Sequence, residues 1–548
     1  MSRIFWVFLS LFIFLLVSSR PAQAIVNPLS VPNNRFGIHI LEPADIPAAA
    51  ALVNSQGGDW GYVTLIIRQN DRDKNKWQTV FDQLRRLHLI PLVRLATNPE
   101  KNYWVKPEVS EVQTWVDFLN SLNWVVTNRY VILFNEPNHA LEWENSINPS
   151  EYSSIVRQFH DKLKAASEDF FILPAGLDTA APNSNSTLSA VNYWQRMYQA
   201  DHDIFTLFDG WNSHSYPNPD FSGLPTAKGL GTLQSYQAEV NYLATLGLNS
   251  SLPIFITETG WTNFYSNNLT DRYTQAFTQI WTQSNLVTIT PFILNYSESP
   301  FNQFSWRKPN SADFYPHYYA VQSLPKIAGR PEQNNSSSIV SKNIPGSLID
   351  NSVYEFSLSL TNTGQSIWTP ADFSLLTSGD FPPDLVQVSL VNSTEPFQTA
   401  DFKINLKTPP DHQDFSLGLQ LSLKGKPFGE KFYQTIKVVP PPSLVAHIKM
   451  LFKRQVSGND FQLLVYDERN ELQTKLNLQV NNGLSQPVFL YNLVPENLYR
   501  FVLLKPEFLP RQLYSPLNPK ETEITFKPLL PNLFKVLLDP LNYLRLRL

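Results

Sequence analysis

Between residues 36 and 325, eight apolar runs of strand length alternate with longer segments of helical period, and that alternation leaves few architectures open. The runs fall at 36–40, 62–67, 90–96, 130–135, 170–177, 208–216, 253–258 and 288–296. Between them, Val80, Leu84 and Leu87 recur at helical spacing across 77–88, and Tyr152, Ile155, Phe159 and Leu163 share one face of 150–166. Strands separated by helices pair in parallel, because each helix carries the chain back to the same end of the sheet. Eight such units in a segment of this length predict a (β/α)8 barrel. The alternative is an open doubly wound sheet, which would usually carry a glycine-rich phosphate loop after its first strand; Phe36-Gly37-Ile38-His39-Ile40 has none.

The flanking segments read differently. Within residues 1–24, Arg3 precedes an apolar stretch at 5–17 and the small-x-small pattern Ala22-Gln23-Ala24, which predicts a secretory signal peptide and a secreted or cell-surface protein. Its apolar core, about 13 residues, falls short of the roughly 20 that cross a bilayer as a helix. The chain has no cysteine, so disulfides, thiolate metal sites and cysteine nucleophiles are excluded. After a barrel at 25–330, the polar stretch 331–343, with Asn334-Asn335-Ser336-Ser337-Ser338, predicts a linker. From 344 to 439 the helical period is lost: 353–360 alternates, Asn362-Thr363-Gly364 is a turn, and 416–424 and 432–439 read as strands. That pattern predicts a β-sandwich of immunoglobulin-like size. A proline-rich spacer at 440–443 leads to a second small sandwich over 444–548, whose apolar end, 529–548, reads as a closing strand pair or a surface-associating tail. The expected fold is an α/β (β/α)8 TIM barrel followed by two small all-β sandwich domains.

Net charge is only −4, with both signs interspersed, which argues against nucleic acid as a partner. Aromatic residues make up 13 % of the chain, a content suited to stacking on sugars, although ordinary cores account for most of it. The chemistry is carried by Phe134-Asn135-Glu136-Pro137-Asn138 and Thr257-Glu258-Thr259-Gly260-Trp261, each of which places a glutamate just past an apolar run. In a barrel both would stand at the C-terminal rim, where such folds hold their active sites. Cleaving a glycosidic bond needs one carboxyl group to protonate the leaving oxygen and an ionised one to attack or stabilise the anomeric carbon. The sixth run adds Asn212, His214 and Tyr216 at period two. Each residue also has a bland reading: Asn-Glu-Pro is a plausible strand-to-helix turn, His214 a structural histidine, Tyr216 a core tyrosine.

This region resembles clan A glycoside hydrolases, the barrel superfamily of cellulases, mannanases, β-glucanases and xylosidases, in which an Asn-Glu pair ends strand four and a lone Glu ends strand seven. The resemblance covers about 36–325 and nothing beyond. It implies that Glu136 is the general acid/base, Glu258 the nucleophile, and Asn135 a partner of the sugar 2-hydroxyl. It implies further that Tyr216 holds the nucleophile, that His214 lines the cleft, and that Arg68 or Arg94 lies beneath the nucleophile. Strand eight departs from the pattern, since Phe292-Ile293-Leu294-Asn295-Tyr296 lacks the stacking tryptophan frequent in the clan; Tyr296 or Trp306 would stand in for it. Trp261, three residues past Glu258, is expected in the cleft. Glu142, Glu144 and Asp178 read as solvated or substrate-adjacent carboxylates. Asn362-Thr363-Gly364 with Trp368-Thr369-Pro370 resembles bacterial immunoglobulin-like modules, with Trp368 in the core.

Together these readings predict a secreted retaining β-glycosidase acting on a polysaccharide or cell-surface glycan. No cofactor and no metal are expected, because no metal-ligand spacing appears. The expected partner is carbohydrate, with attachment to a cell surface or wall through the β-domains and a monomeric state. The alternative is a non-catalytic glycan-binding surface protein with a barrel and adhesive β-modules.

Overall fold

The computed structural model describes residues 25–263, 268–390 and 392–533. The expected signal peptide and residues 534–548 of the closing segment lie outside them. The chain divides into two compact units, residues 1–334 and 335–548.

The first unit contains eight parallel strands: β1 Gly37–His39, β2 Gly61–Arg68, β3 Leu89–Ala96, β4 Arg129–Leu133, β5 Phe170–Pro174, β6 Trp211–His214, β7 Ile254–Glu258 and β8 Leu286–Ile289. Hydrogen bonding runs in order from β1 to β5 and again from β6 to β8. Parallel bridges Asp178–His214 and Phe36–Ile289 join the two arcs at both seams, so the ring closes. Each strand is followed by a helix: α1 Ile46–Val53, α2 Lys74–Arg86, α3 Val112–Asn120, α4 Pro149–Ala166, α5 Ala190–Ala200, α6 Ser235–Ala244, α7 Leu269–Gln275 and α8 Pro316–Ser323.

Local sequence explains these elements. Asp73 caps α2 by accepting from the backbone N–H groups of Asn75 and Lys76, and α2 buries Trp77, Val80, Phe81 and Leu84. Asn148 caps α4, with Pro149 at its first position, where the missing N–H costs nothing. Strands β3 and β5 are buried almost throughout, because helices cover the outside of the ring while side chains fill its interior. Most of the strands are shorter than the apolar runs that predict them. In the run at 288–296 the regular strand ends at Ile289, shortly before Pro291, which has no N–H to donate.

The segment expected to be a linker at 331–343 is not an open tether. Glu332 accepts from the Thr127 N–H at 2.8 Å, and Gln333 donates to the Val125 carbonyl at 2.8 Å. Ser337–Lys342 then forms a strand paired with Val353–Asn362. Polar composition hid this, since backbone groups pair regardless of side-chain polarity.

In the second unit, two four-stranded sheets enclose a core that includes Leu358, Phe402, Leu417, Leu421 and the fully buried Trp368. The strands of 443–525 form one connected hydrogen-bonded sheet, with 521–525 branching onto 443–447, around Leu444, Phe461, Leu463, Phe501 and Ile524. The proline stretch 440–443 does not hold the two parts apart. Tyr354 donates its hydroxyl to the Leu493 carbonyl at 2.7 Å, and Ile349 packs into the second core.

Candidate active site

The C-terminal ends of the barrel strands surround a cavity of about 360 Å³. Glu258, the last residue of β7, is 7 % exposed at its floor. One oxygen, Oε1, accepts a short hydrogen bond from Nη1 of Arg94 on β3. The other, Oε2, accepts from the Tyr216 hydroxyl at 3.1 Å and lies 3.8 Å from Nδ1 of His214. Burial alone would raise the carboxyl pKa, but His214, Arg94 and the Tyr216 bond outweigh it and hold Glu258 well below the usual carboxylate range. Glu258 is therefore an ionised carboxylate in a nearly dry setting.

Glu136 stands just past β4, half-buried, with Oε1 2.8 Å from Nδ1 of His214. A carboxylate oxygen of Glu136, one of Glu258 and a ring nitrogen of His214 lie within 4.8 Å of one another. Asn135 Oδ1 accepts from Arg94 Nη1 at 2.6 Å, so one guanidinium nitrogen orients both Asn135 and Glu258. The turn that aims this pair is strained: Phe134 has φ +73° and Glu136 φ +29°, a region that costs non-glycine residues on the order of 1–3 kcal/mol. Such strain persists where packing over-determines it, here by burial of Phe134 against Trp143 and Phe159.

Among the expected site residues, the structure gathers Glu136, Glu258, Asn135, Arg94, Tyr216, Arg68 and Tyr296 around one cavity. Three expectations need correction. His214 does not line the cleft. It is 1 % exposed and lies behind both glutamates, packed on Gly176, where a Cβ would come within 2.1 Å of its ring. Burial works against its charge, yet the Glu258 and Glu136 carboxylates prevail and raise its pKa. Trp261 is not a cleft residue: it is 1 % exposed, donates to the Gly223 carbonyl at 2.8 Å and packs edge-on against Tyr273. Trp306 is likewise core, against Tyr273 and His317, and cannot replace the missing stacking residue. Of the two arginines, Arg94 alone contacts Glu258; Arg68 sits over Trp104, 5.7 Å from the ring centre.

Sequence spacing missed His39 and His139, and Glu142 and Asp178, read as solvated or substrate-adjacent, lie on the same cavity. His39 closes β1 with Nε2 3.8 Å from Glu258 Oε1, and burial with nearby Arg94 pushes its pKa down to about 3, so it is neutral. Glu142 lines the cavity and is pushed up to about 7 by burial and by Glu136. His139 and Asp178 pair at 3.0 Å on the wall; burial opposes both charges, but the bond holds His139 above and Asp178 below its ordinary value. Placement at a strand end is the signal that finds His39.

Linear spacing showed no metal-ligand cluster, yet folding brings Glu136, His214 and Glu258 into ligand range. The Arg94 cation on one Glu258 oxygen and the Tyr216 donor on the other disfavour a cation there, and His214 Nδ1 is occupied by Glu136.

No protein-family model matches the sequence, and neither does any curated protein. Solved structures do resemble it. An endo-β-1,4-mannanase from Thermotoga petrophila is 9 % identical, with a TM-score of 0.36 over 74 % of this chain and 98 % of that one. A β-mannanase from Thermomonospora fusca is 14 % identical, TM-score 0.36, over 53 % and 91 %. A β-glucuronidase from Parabacteroides merdae is 8 % identical, TM-score 0.32, over 88 % and 62 %. At these scores the likeness assigns no residue a role.

Proposed function

We propose that the chain is a retaining β-glycosidase acting on a polysaccharide or cell-surface glycan. The observation that carries this reading is the approach of Glu136 and Glu258 to within 4.8 Å, with Glu258 held ionised. Retaining enzymes place the two carboxyl groups about 5–5.5 Å apart, whereas inverting ones need about 6.5–9.5 Å for an intervening water. In the first step a Glu258 oxygen attacks the anomeric carbon as the glycosidic C–O bond breaks, and Glu136 gives its proton to the leaving oxygen. In the second, Glu136 takes a proton from water, whose oxygen attacks the same carbon and releases Glu258 as carboxylate. Arg94 and Tyr216 keep the nucleophile aimed, and Asn135, fixed by Arg94, faces the cavity where a 2-hydroxyl would sit. The amino-terminal sequence supports export.

A panel of aryl β-glycosides and β-glucans, incubated with the protein beside a Glu258→Gln variant, tests the reading. Turnover lost in the variant, with the product first released in the substrate's anomeric configuration by NMR, is the expected result. The second reading, a binder that does not cut, is favoured by the absent strand-eight tryptophan; it predicts no turnover in either protein and equal sugar binding.

A further inference from the structure

The charges around the cavity do not balance residue by residue, and the imbalance has one location. Among the described lining residues, Glu258 is paired with Arg94, Asp178 with His139, and Glu136 with His214 behind it. Glu142 has no such partner and is driven toward its neutral form by burial. Arg68 is the remaining charge: it closes β2, is exposed to the cavity, and has no carboxylate within ion-pair distance among the described residues. What it does have is the face of Trp104, from the short hairpin Pro99–Glu100/Tyr103–Trp104, below its guanidinium. A guanidinium held over a ring face by its charge leaves its N–H fork free, and that fork matches the two oxygens of a carboxylate or sulfate.

We propose that Arg68, carried on Trp104, is the receptor for an anionic substituent, a carboxylate or a sulfate ester, on the glycan that occupies the cavity. The inference rests on the glycosidase reading for the identity of the ligand as carbohydrate. It makes the β2 side of the cavity the place that selects charged over neutral sugars, apart from the Glu136–Glu258 pair that does the chemistry. The site binds through the fork, so the preference weakens as salt screens it, and lysine, a point charge, replaces arginine poorly.

The test measures binding, by calorimetry on the full chain, of sulfur-linked β-glucosyl tetrasaccharides that resist cleavage. Three matched forms are used: neutral, oxidised at C6 to the carboxylate, and sulfated at C6. At least one anionic form is expected to bind about tenfold or more tighter than the neutral one. That preference should fall in high salt, shrink in Arg68→Lys and vanish in Arg68→Gln, with circular dichroism confirming that both variants are folded. Preference for carboxylate alone or sulfate alone identifies the source of the anion. Equal binding of all three forms, binding of none, or a preference that survives Arg68→Gln would overturn the proposal. The Glu258→Gln turnover experiment fails or succeeds independently of these affinities, so loss of one reading is told apart from loss of the other.

Discussion

Nδ1 of His214 lies 2.8 Å from Oε1 of Glu136, which makes a fully buried imidazole the support for the residue assigned to proton transfer. Its pKa is raised above the unfolded value of about 6.5, because the carboxylates of Glu258 and Glu136 outweigh its burial. The stability it contributes is complete below about pH 6.5 and is lost as pH rises through the folded value. His214→Gln should lower kcat/KM about 100-fold by misplacing Glu136, and it should move the alkaline limb of the pH–rate profile, because the imidazolium beside the proton-donating carboxyl is gone. A lowered rate with an unmoved limb would mean that His214 acts only through packing.

Gly176 makes that arrangement possible. An added Cβ would meet His214 Cδ2 at 2.1 Å and Nε2 at 2.6 Å, and the imidazole cannot retreat, because Glu136 and Glu258 sit on its other side. Gly176→Ala is expected to cost about 1–3 kcal/mol of stability through overpacking, and to lower turnover together with the melting temperature. Ala at 176 with unchanged activity would show that the ring can shift without disturbing Glu136.

The barrel was legible because eight apolar runs separated by helical-period segments admit few topologies, and both glutamates sit at run ends. Tyr216 and Arg94 fall within or just past such runs, so their convergence on Glu258 follows from strand order. What stayed hidden depends on side-chain direction. His214 and Tyr216 are two residues apart, yet Tyr216 lines the cavity while His214 is sealed behind Gly176. Trp261 lies three residues past Glu258 in sequence, but the chain turns at Gly260, with φ +136°, and sends the indole against Tyr273. The polar run 331–343 misled because backbone pairing to Thr127 and to Val353–Asn362 leaves no mark in side-chain composition.

Two tryptophans should therefore behave differently. Trp261 donates to Gly223 at 2.8 Å inside the barrel wall, a carbonyl that Arg272 also reaches at 3.1 Å, so Trp261→Phe is expected to cost about 1–3 kcal/mol through the lost hydrogen bond and the space the indole leaves. The readout is a lowered melting temperature with little change in KM. Trp104 lines the cavity, and Trp104→Ala should raise KM with a smaller effect on melting. Opposite outcomes for the pair would return Trp261 to the cleft.

The outer side of β6 carries a further titrating group. Glu239 on α6 is buried and accepts from Trp211 Nε1 at 2.8 Å and Ser213 Oγ at 2.6 Å. Burial pushes its pKa up to about 7, and the two donors only partly oppose that. Unfolded, the same carboxyl titrates near 4.3. Between those values the folded protein keeps a proton that the unfolded chain has released, so stability falls as pH rises from about 4.3 to about 7. The slope contributed by this group is at most about 1.4 kcal/mol per pH unit. Glu239→Gln removes the titration but presents an amide N–H₂ to one of two donors, which lowers stability at acidic pH. Denaturant melts of both proteins from pH 4 to 8 should therefore converge as pH rises. A gap that stays constant over that range would show that Glu239 does not titrate there.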